Sequence, residues 1–311
     1  MRPNCFYRHH LAGALVAGFL MGLATSATAA PAAEDALYER AAVLAADARC
    51  KLFDAKTRAA LEAAMVQARG AMIRGGAPAK SVESIERFAA SAGNRWDCNS
   101  PDMKVIAGRV ESAFSAYHKY TEMRFPGDVR TWIAQRYTAE RTARWRVFQT
   151  AKTSQAQYGF GVAEFNGQKG LLLVVDGELA RPRSVVLMMR DPRRAPEPVG
   201  AGFLNSVTFR STDKNTPLKD RVPPYGATQP FFAKGKMVAD ASLTQSGQTQ
   251  AMAYLFPDAA INHLENLDPR EAIEARLTIP ARGNRPEYVE RVYFEVGDFA
   301  AARAFIRAAA S

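Results

Sequence analysis

The sequence predicts an α+β protein, in which an N-terminal helical domain of about four to five helices precedes an antiparallel β-sandwich or barrel-like domain with a C-terminal helix. From Ala33 to about Tyr137, apolar residues recur every three or four positions, as on one face of a helix. From Trp145 onward, short β-branched and aromatic runs alternate with turn residues, which is typical of antiparallel sheets. Helical spacing returns after Asp298, and this predicts the terminal helix.

The first segment, residues 1–29, has the three-part order of a secretory signal peptide. Arg2 and Arg8 precede an apolar run of about 13 residues, and Ala27-Thr28-Ala29 is the expected cleavage triplet. A membrane-spanning helix needs roughly 20 apolar residues, so cleavage is favoured over a retained anchor. We therefore expect an exported bacterial protein, periplasmic or secreted, with no integral membrane segment after cleavage.

The rest of the chain divides where the period changes, into a helical domain over residues 30–142 and an antiparallel β domain with a terminal helix over residues 143–311. In the helical domain, Asp54 and Ser100 precede apolar periodic segments and are the predicted N-cap residues of the second and fourth helices. A short helix containing Trp132 is expected near the end of this domain.

The mature chain keeps two cysteines, Cys50 and Cys98, because Cys5 lies in the signal peptide. An even pair in an oxidising compartment predicts a disulfide. Two alternatives are a pair of buried free thiols and a catalytic thiol that works with His118. The disulfide is the favoured interpretation, and it would tie the end of the first helix to the start of the fourth.

The β domain contains one clear hairpin and one clear half-exposed strand. Tyr158 to Phe165 leads through Asn166-Gly167, a favoured hairpin turn, into the apolar run Leu171 to Val175. From Ile273 to Ile279, apolar residues alternate with polar ones, and this predicts a strand with one solvated face. Further strands are expected at Val185 to Met189, Val207 to Phe209, Phe231 to Val238, Met252 to Phe256 and Val292 to Val296.

Charge and motifs exclude several functional classes. The chain has a formal net charge of +10, which favours anionic partners, but export and the absence of long Lys/Arg runs argue against nucleic acid. His118 and His263 are too far apart in sequence to indicate a zinc site, so no metal is expected. Gly159-Phe160-Gly161 lacks the third glycine of a dinucleotide fingerprint. No P-loop or nucleophile elbow is present, so no cofactor and no catalytic residue is assigned.

Candidate ligand-binding residues lie on two polar segments. Arg190, Arg193 and Arg194 belong to a proline-containing stretch after an apolar strand, where guanidinium groups can bind anions or simply form a polar turn. Tyr225, Phe231 and Phe232 suggest a sugar- or peptide-binding edge, with packing in the core as the alternative. Tyr225 lies in the long polar stretch 211–230, and the two phenylalanines directly follow it. This stretch is expected to be either functional or mobile, with mobility favoured.

The C-terminal half resembles the invasion-associated locus B group of exported bacterial β-domain proteins. The resemblance rests on strand order, on the alternating Val292-Tyr293-Phe294-Glu295-Val296 and on the following Gly297-Asp298-Phe299-Ala300-Ala301-Ala302. Cysteine pairs typical of that group's β domain have no counterpart after Cys98. The resemblance implies an envelope or secreted accessory protein without a defined catalytic site.

These observations favour a non-enzymatic envelope protein that binds another envelope component, either an anionic polymer or another envelope protein. The alternative is a hydrolase that acts on an envelope polymer through carboxylates that only the fold brings together, because paired carboxylates have no fixed sequence spacing. The sequence does not decide between them, and the missing motifs favour the binding protein.

Overall fold

The computed structural model describes residues 29–136, 143–165, 167–177, 181–198, 215–244 and 251–310, and it shows an α+β chain. Four helices come first, two antiparallel sheets follow, and a helix ends the described chain. The predicted fold class is thus confirmed. Except for Ala29, the predicted signal peptide lies outside the described residues, as does the strand predicted at Val207 to Phe209.

The helices begin and end at residues that the local sequence explains. They are α1 (Ala29–Cys50), α2 (Ala55–Arg74), α3 (Ala79–Gly93), α4 (Pro101–Phe114), α5 (Asp258–Glu265) and α6 (Phe299–Ala310). Asp54 Oδ1 accepts the N–H of Thr57 at 2.7 Å before α2, and Ser100 Oγ accepts the N–H of Met103 at 3.2 Å before α4. Both predicted N-caps are confirmed.

The predicted disulfide between Cys50 and Cys98 is confirmed. Their Cα atoms lie 5.4 Å apart, and the bridge closes a sequence separation of 48 residues. It joins the last residue of α1 to the loop before α4. On the chain-entropy account, a loop of this size stabilises the folded state by about 4 kcal/mol.

The strands form two antiparallel sheets. They are β1 (Glu122–Pro126), β2 (Thr131–Arg136), β3 (Ala143–Lys152), β4 (Ala156–Phe165), β5 (Gln168–Gly177), β6 (Ser184–Arg190), β7 (Thr228–Phe232), β8 (Gly235–Val238), β9 (Met252–Phe256), β10 (Ala272–Ile279) and β11 (Tyr288–Glu295). The larger sheet has seven strands in the order β1-β2-β3-β4-β5-β9-β8, and the smaller has four in the order β11-β10-β6-β7. β7 and β8 follow each other in the chain. β7 is an edge strand of the smaller sheet, and β8 is an edge strand of the larger one.

The hairpin predicted around Asn166-Gly167 is confirmed by the pairing of β4 with β5, in which Phe165 lies opposite Gln168. Gly167 has a φ of 74°, a left-handed conformation that glycine adopts without strain. Asn166 itself lies outside the described residues. The other predicted strands within the described ranges are present as β6, β7 with β8, β9, β10 and β11.

The predicted short helix around Trp132 is wrong, because Trp132 lies on β2 and the sheet begins at Glu122. Trp132 and Ala134 alternate inward as buried residues, and the Trp132 indole N–H donates to the carbonyl oxygen of Val296 at 2.8 Å. An aromatic residue beside Thr131 and Ile133 suits a pleated strand. This strand is short and follows directly after the turn at residues 126–130, so its sequence pattern was interpreted as helical.

The largest of several apolar clusters in the described residues joins helices and sheets. It contains Ala60 and Ala63 of α2, Phe299 and Phe305 of α6, and the inward residues of both sheets, including Leu187. α2 packs along α6, so the first and last parts of the chain share this core. The sequence-based division of the chain at residue 143 stays a prediction.

The polar stretch predicted as mobile has local structure in its described part, residues 215–230. Short 3₁₀ turns cover Leu218–Asp220 and Tyr225–Ala227, and β7 begins directly afterwards. Between them Arg221 is fully buried. A buried guanidinium requires partners, and the contacts of Arg221 hold this segment in place.

Helix length and polarity bear on membrane insertion. None of the helices in the described ranges is both long enough and apolar enough to cross a bilayer. α1 has 22 residues but carries Glu34, Asp35, Glu39 and Arg40.

Candidate functional site

The loop after β6 and the turn before β7 lie side by side at one end of the four-stranded sheet. The two strands pair antiparallel, and the N–H of Asp191 donates to the carbonyl oxygen of Ala227 at 2.9 Å. Antiparallel pairing brings the end of one strand beside the start of the other. The fold therefore brings Arg193, Arg194 and Tyr225 to the same end of the sheet, although they come from separate segments.

These three predicted residues present their side chains to solvent. Arg193 and Arg194 are exposed, and Arg194 Nε lies 3.4 Å from Asp191 Oδ2. Tyr225 is 75% exposed, and its carbonyl oxygen accepts the hydroxyl of Thr228 at 2.7 Å. A rigid backbone therefore carries two guanidinium groups and a phenol ring at this surface.

Arg190 lies below this surface and not on the loop where the sequence placed it. It is the last residue of β6 and is buried, and its Nε donates to Glu271 Oε1 at 2.7 Å. Its Nη1 donates to the carbonyl oxygen of Ala195 at 2.7 Å, and this bond fixes the far end of the loop. Arg190 thus holds the loop that carries Arg193 and Arg194.

Phe231 is also buried, and it packs beneath the same end of the sheet. Its ring centroid lies 5.1 Å from that of His263 on α5. His263 Nε2 lies 2.6 Å from the carbonyl oxygen of Arg190, so a neutral ring with its proton on Nε2 donates to that oxygen. Burial lowers the pKa of His263, which favours that neutral form. The binding roles predicted for Arg190 and Phe231 stay predictions.

Glu271 is the buried acid of this region. Burial raises its pKa to about 7, an effect that Arg190 counteracts and the Asp268 carboxylate reinforces. Its Oε2 has no hydrogen-bond partner among the described residues. Asp268 is itself bound by Arg270, whose Nε donates to Asp268 Oδ1 at 2.8 Å.

The outward face of the four-stranded sheet extends the exposed surface. Phe232, Val186, Arg276 and Arg291 lie side by side across the four strands. Phe232 is 63% exposed. The Arg276 guanidinium carbon lies 5.7 Å from the Tyr225 ring centroid, so the row continues to the turn before β7. These exposed or partly exposed aromatic and arginine side chains are here called the aromatic-arginine surface (Arg193, Arg194, Tyr225, Phe232, Arg276, Arg291). Val186, between Phe232 and Arg276, is itself buried.

The prediction that all polar residues of β10 face solvent is wrong for Glu274, which is buried. Two arginines cover it: Arg276 Nη2 donates to Glu274 Oε2 at 2.7 Å, and Arg291 Nε lies 3.4 Å from Glu274 Oε1. Sequence reasoning identified Phe232 as part of the aromatic edge but missed Arg276 and Arg291 as residues of this surface. The strict alternation in β10 was the signal that could have found Arg276.

A second cluster of charges lies in the interior around Glu295, at the end of β11. The turn between β1 and β2 wraps its carboxylate: Oε1 accepts the N–H of Asp128 at 2.7 Å, and Oε2 accepts those of Val129 at 2.9 Å and Arg130 at 2.7 Å. Arg221 Nη1 lies 3.8 Å from Glu295 Oε1. Both charged side chains are fully buried.

Further bonds link this cluster to the helices. Arg221 Nη1 donates to Asp128 Oδ2 at 3.1 Å, and Arg74 of α2 forms an ion pair with Asp298 before α6. Burial raises the pKa of Asp298, an effect that Arg74 counteracts. Gln149 of β3 exchanges two hydrogen bonds with the backbone of Glu295, at 2.8 and 3.0 Å. The cluster ties α2, both sheets and α6 together.

Glu271 and Asp298, the two mostly buried acids with raised pKa, each form an ion pair with an arginine. In the part of the chain that the structure describes, no three His, Cys, Asp or Glu side chains are grouped to hold a metal ion. The guanidinium groups of Arg193 and Arg194 are exposed, and that of Arg194 lies near Asp191.

Comparison of this sequence with protein-family models, with curated proteins and with solved structures finds no match. The class of the protein therefore rests on its own fold and surface: an α+β chain with a disulfide-linked helical part, two antiparallel sheets and the aromatic-arginine surface. The resemblance of the C-terminal half to the invasion-associated locus B group stays a prediction.

Proposed function

We propose that this chain is an exported, non-enzymatic protein of the bacterial envelope, periplasmic or secreted, that binds an anionic envelope polymer. Its predicted signal peptide supports export. The bridge between Cys50 and Cys98 supports an oxidising compartment. The net charge of +10, which becomes +8 without Arg2 and Arg8 of the predicted signal peptide, favours an anionic partner.

The observation that carries this proposal is the aromatic-arginine surface. Guanidinium groups bind carboxylate and phosphate groups through paired N–H donors. Exposed rings such as those of Tyr225 and Phe232 offer flat apolar faces on which a sugar ring packs. The combination suits a polymer that carries both sugar rings and acidic groups. Another envelope protein with an acidic surface is the alternative partner.

The test is co-sedimentation of the mature chain with peptidoglycan sacculi, with cellulose as a neutral insoluble glycan. Arg193→Gln with Arg194→Gln removes two surface charges, and Tyr225→Ala removes the exposed ring. We expect the wild-type chain to sediment with sacculi only, and each variant to bind at least tenfold more weakly.

The matched control is Lys104→Gln with Arg109→Gln, which lowers the net charge equally at exposed positions of α4. This control should bind as the wild type does. Equal weakening by both charge variants would show that net charge alone drives binding, and wild-type binding to neither material would overturn the proposed polymer ligand.

The hydrolase alternative rests on Glu271, because a carboxyl group with a pKa of about 7 suits a general acid. Glu271 is fully buried and bound to Arg190, which separates it from a large substrate. If the wild-type chain releases soluble fragments from the sacculi and Glu271→Gln does not, the chain is a hydrolase and the proposal of a non-enzymatic binding protein is wrong.

A further inference from the structure

The seven-stranded sheet carries an open depression at the end where β3 turns into β4. Its volume is about 340 Å³, and Arg130, Thr150, Ala151, Lys152 and Gln157 line it. Lys152 lies opposite Gln157 in the ladder of β3 and β4, so their side chains point to the same face. Arg130 directly precedes β2, the strand on the other side of β3.

The position of Arg130 is fixed by the chain around it. Its Nη1 donates to the carbonyl oxygen of Thr150 at 2.6 Å, and its backbone N–H donates to Glu295. Its Nε is a buried donor atom with no hydrogen-bond partner among the described residues. Because that atom is buried, a solute in the depression can meet Arg130 only through the Nη groups of its guanidinium.

The charges that line this depression are both positive. Arg130 and Lys152 contribute cations, Gln157 contributes an amide, and no carboxylate is among the lining residues. The nearest described acid below Arg130 is Glu295, whose oxygens accept three backbone N–H groups. Asp176 lies directly opposite Gln157 in the ladder of β4 and β5, so one carboxylate flanks the depression on that side.

We propose that this depression binds the oxyanion group of a small solute, a phosphate or a carboxylate, between Arg130 and Lys152. The available volume matches that of small-molecule sites. Arg130 supplies a fixed guanidinium, Lys152 a mobile ammonium group, and Gln157 an amide donor for a further oxygen. This site lies on a different sheet from the aromatic-arginine surface, and its occupancy does not depend on the proposed polymer ligand.

The test is isothermal titration of the mature chain with pyrophosphate and, separately, with citrate, each at constant ionic strength set by sodium chloride. We expect saturable binding of at least one of the two. Lys152→Met should weaken that binding at least tenfold, because it removes one of the two cations and leaves the bond between Arg130 and Thr150 in place. The anion that binds more tightly identifies the class of the oxyanion.

A control variant separates this site from other causes. Lys169→Met removes an exposed lysine of β5 that does not line the depression, and it should bind as the wild type does. No saturable binding by the wild type, or equal weakening by Lys169→Met, would overturn the proposal.

Discussion

Two fully buried glutamates, Glu271 just before β10 and Glu295 at the end of β11, lie next to each other. Their carboxylates differ in the number of hydrogen-bond donors that contact them. The carbonyl oxygen of Glu271 accepts the N–H of Val296, the residue after Glu295. The Glu295 carboxylate accepts three backbone N–H groups, whereas that of Glu271 has one arginine and an unpartnered Oε2. Burial therefore strengthens the hydrogen bonds of the Glu295 carboxylate and destabilises the ionised carboxylate of Glu271.

The difference follows from which segment meets each carboxylate. Glu295 faces the turn between β1 and β2, where the N–H groups of Asp128, Val129 and Arg130 point to one place. Three consecutive N–H groups form a fixed positive concavity for an anion. Glu271 faces the single side chain of Arg190, and most of that guanidinium's remaining bonds hold the loop after β6.

The largest expected effect comes from replacing each glutamate by glutamine at neutral pH. Glu295→Gln should lower the free energy of unfolding by about 3–5 kcal/mol, because its amide NH₂ must face at least one N–H donor and Arg221 loses a charged partner. Glu271→Gln should not lower it, because Oε1 still accepts from Arg190, the NH₂ replaces an unpartnered oxygen and the amide does not ionise. Urea unfolding of both variants measures the difference.

Equal losses of stability at the two positions would contradict this comparison. Far-UV circular dichroism of each variant before unfolding establishes that both are folded. If Glu295→Gln does not fold, Gln149→Leu provides a milder test, because it removes two hydrogen bonds to the Glu295 backbone without changing the carboxylate.

The next effect is the pH dependence that Glu271 imposes. Its pKa is raised from 4.5 to about 7 in the folded chain, so between these values the folded state binds more protons than the unfolded state. Stability from this group is therefore present below about pH 4.5 and lost as the pH rises through about 7. The wild type should lose up to about 3 kcal/mol relative to Glu271→Gln across this range.

Thermal unfolding of both chains from pH 5 to pH 8 measures this difference. The lowered pKa of His263 acts in the opposite direction, since its contribution is lost as the pH falls, but it is present in both chains. Glu111→Gln, at an exposed position of α4, is the control and should follow the wild type. A constant difference between wild type and Glu271→Gln would refute the assignment to Glu271.

The same contrast explains what the sequence could predict. Asp54, Ser100 and the hairpin at Gly167 act on neighbours a few residues away, so local pattern identifies them. The bridge of Cys50 to Cys98 followed from the count of cysteines and the compartment. Local signals of this kind were enough for the fold class and most of the strands.

The sites, in contrast, depend on contacts between distant segments. Glu295 accepts the N–H of Asp128, which is 167 residues away in sequence. Neither segment contains a pattern that predicts this hydrogen bond. Arg190 looked exposed because it ends an apolar strand beside polar residues, and only the fold shows Glu271 behind it. Trp132 was misplaced for a similar reason: its strand pairs with β1 and β3, and its indole N–H donates to Val296, which is 164 residues away in sequence.

The smallest of the three effects tests whether the turn around Glu295 is as closely fitted as its hydrogen bonds indicate. A Cβ atom on Gly127 would lie 2.5 Å from Glu295 Oε2 and 2.6 Å from its Cδ, too close for any real contact. Gly127→Ala should therefore cost about 1–3 kcal/mol, because either the turn or the carboxylate must move. Gly108→Ala on α4 has open space and should be neutral or stabilising.

A double-mutant cycle shows whether the carboxylate is the cause. In a Glu295→Ala background, the atoms that collide with the new methyl group are absent, so Gly127→Ala should cost much less than in the wild type. Chemical denaturation of the four chains gives the coupling free energy between the two positions. An unchanged cost would mean that the turn resists the methyl group for a reason of its own, and the carboxylate would no longer account for the glycine. A reduced cost would show that the turn and the Glu295 carboxylate are closely packed against each other. Glu271 has no such surrounding turn, because its carboxylate contacts the single side chain of Arg190.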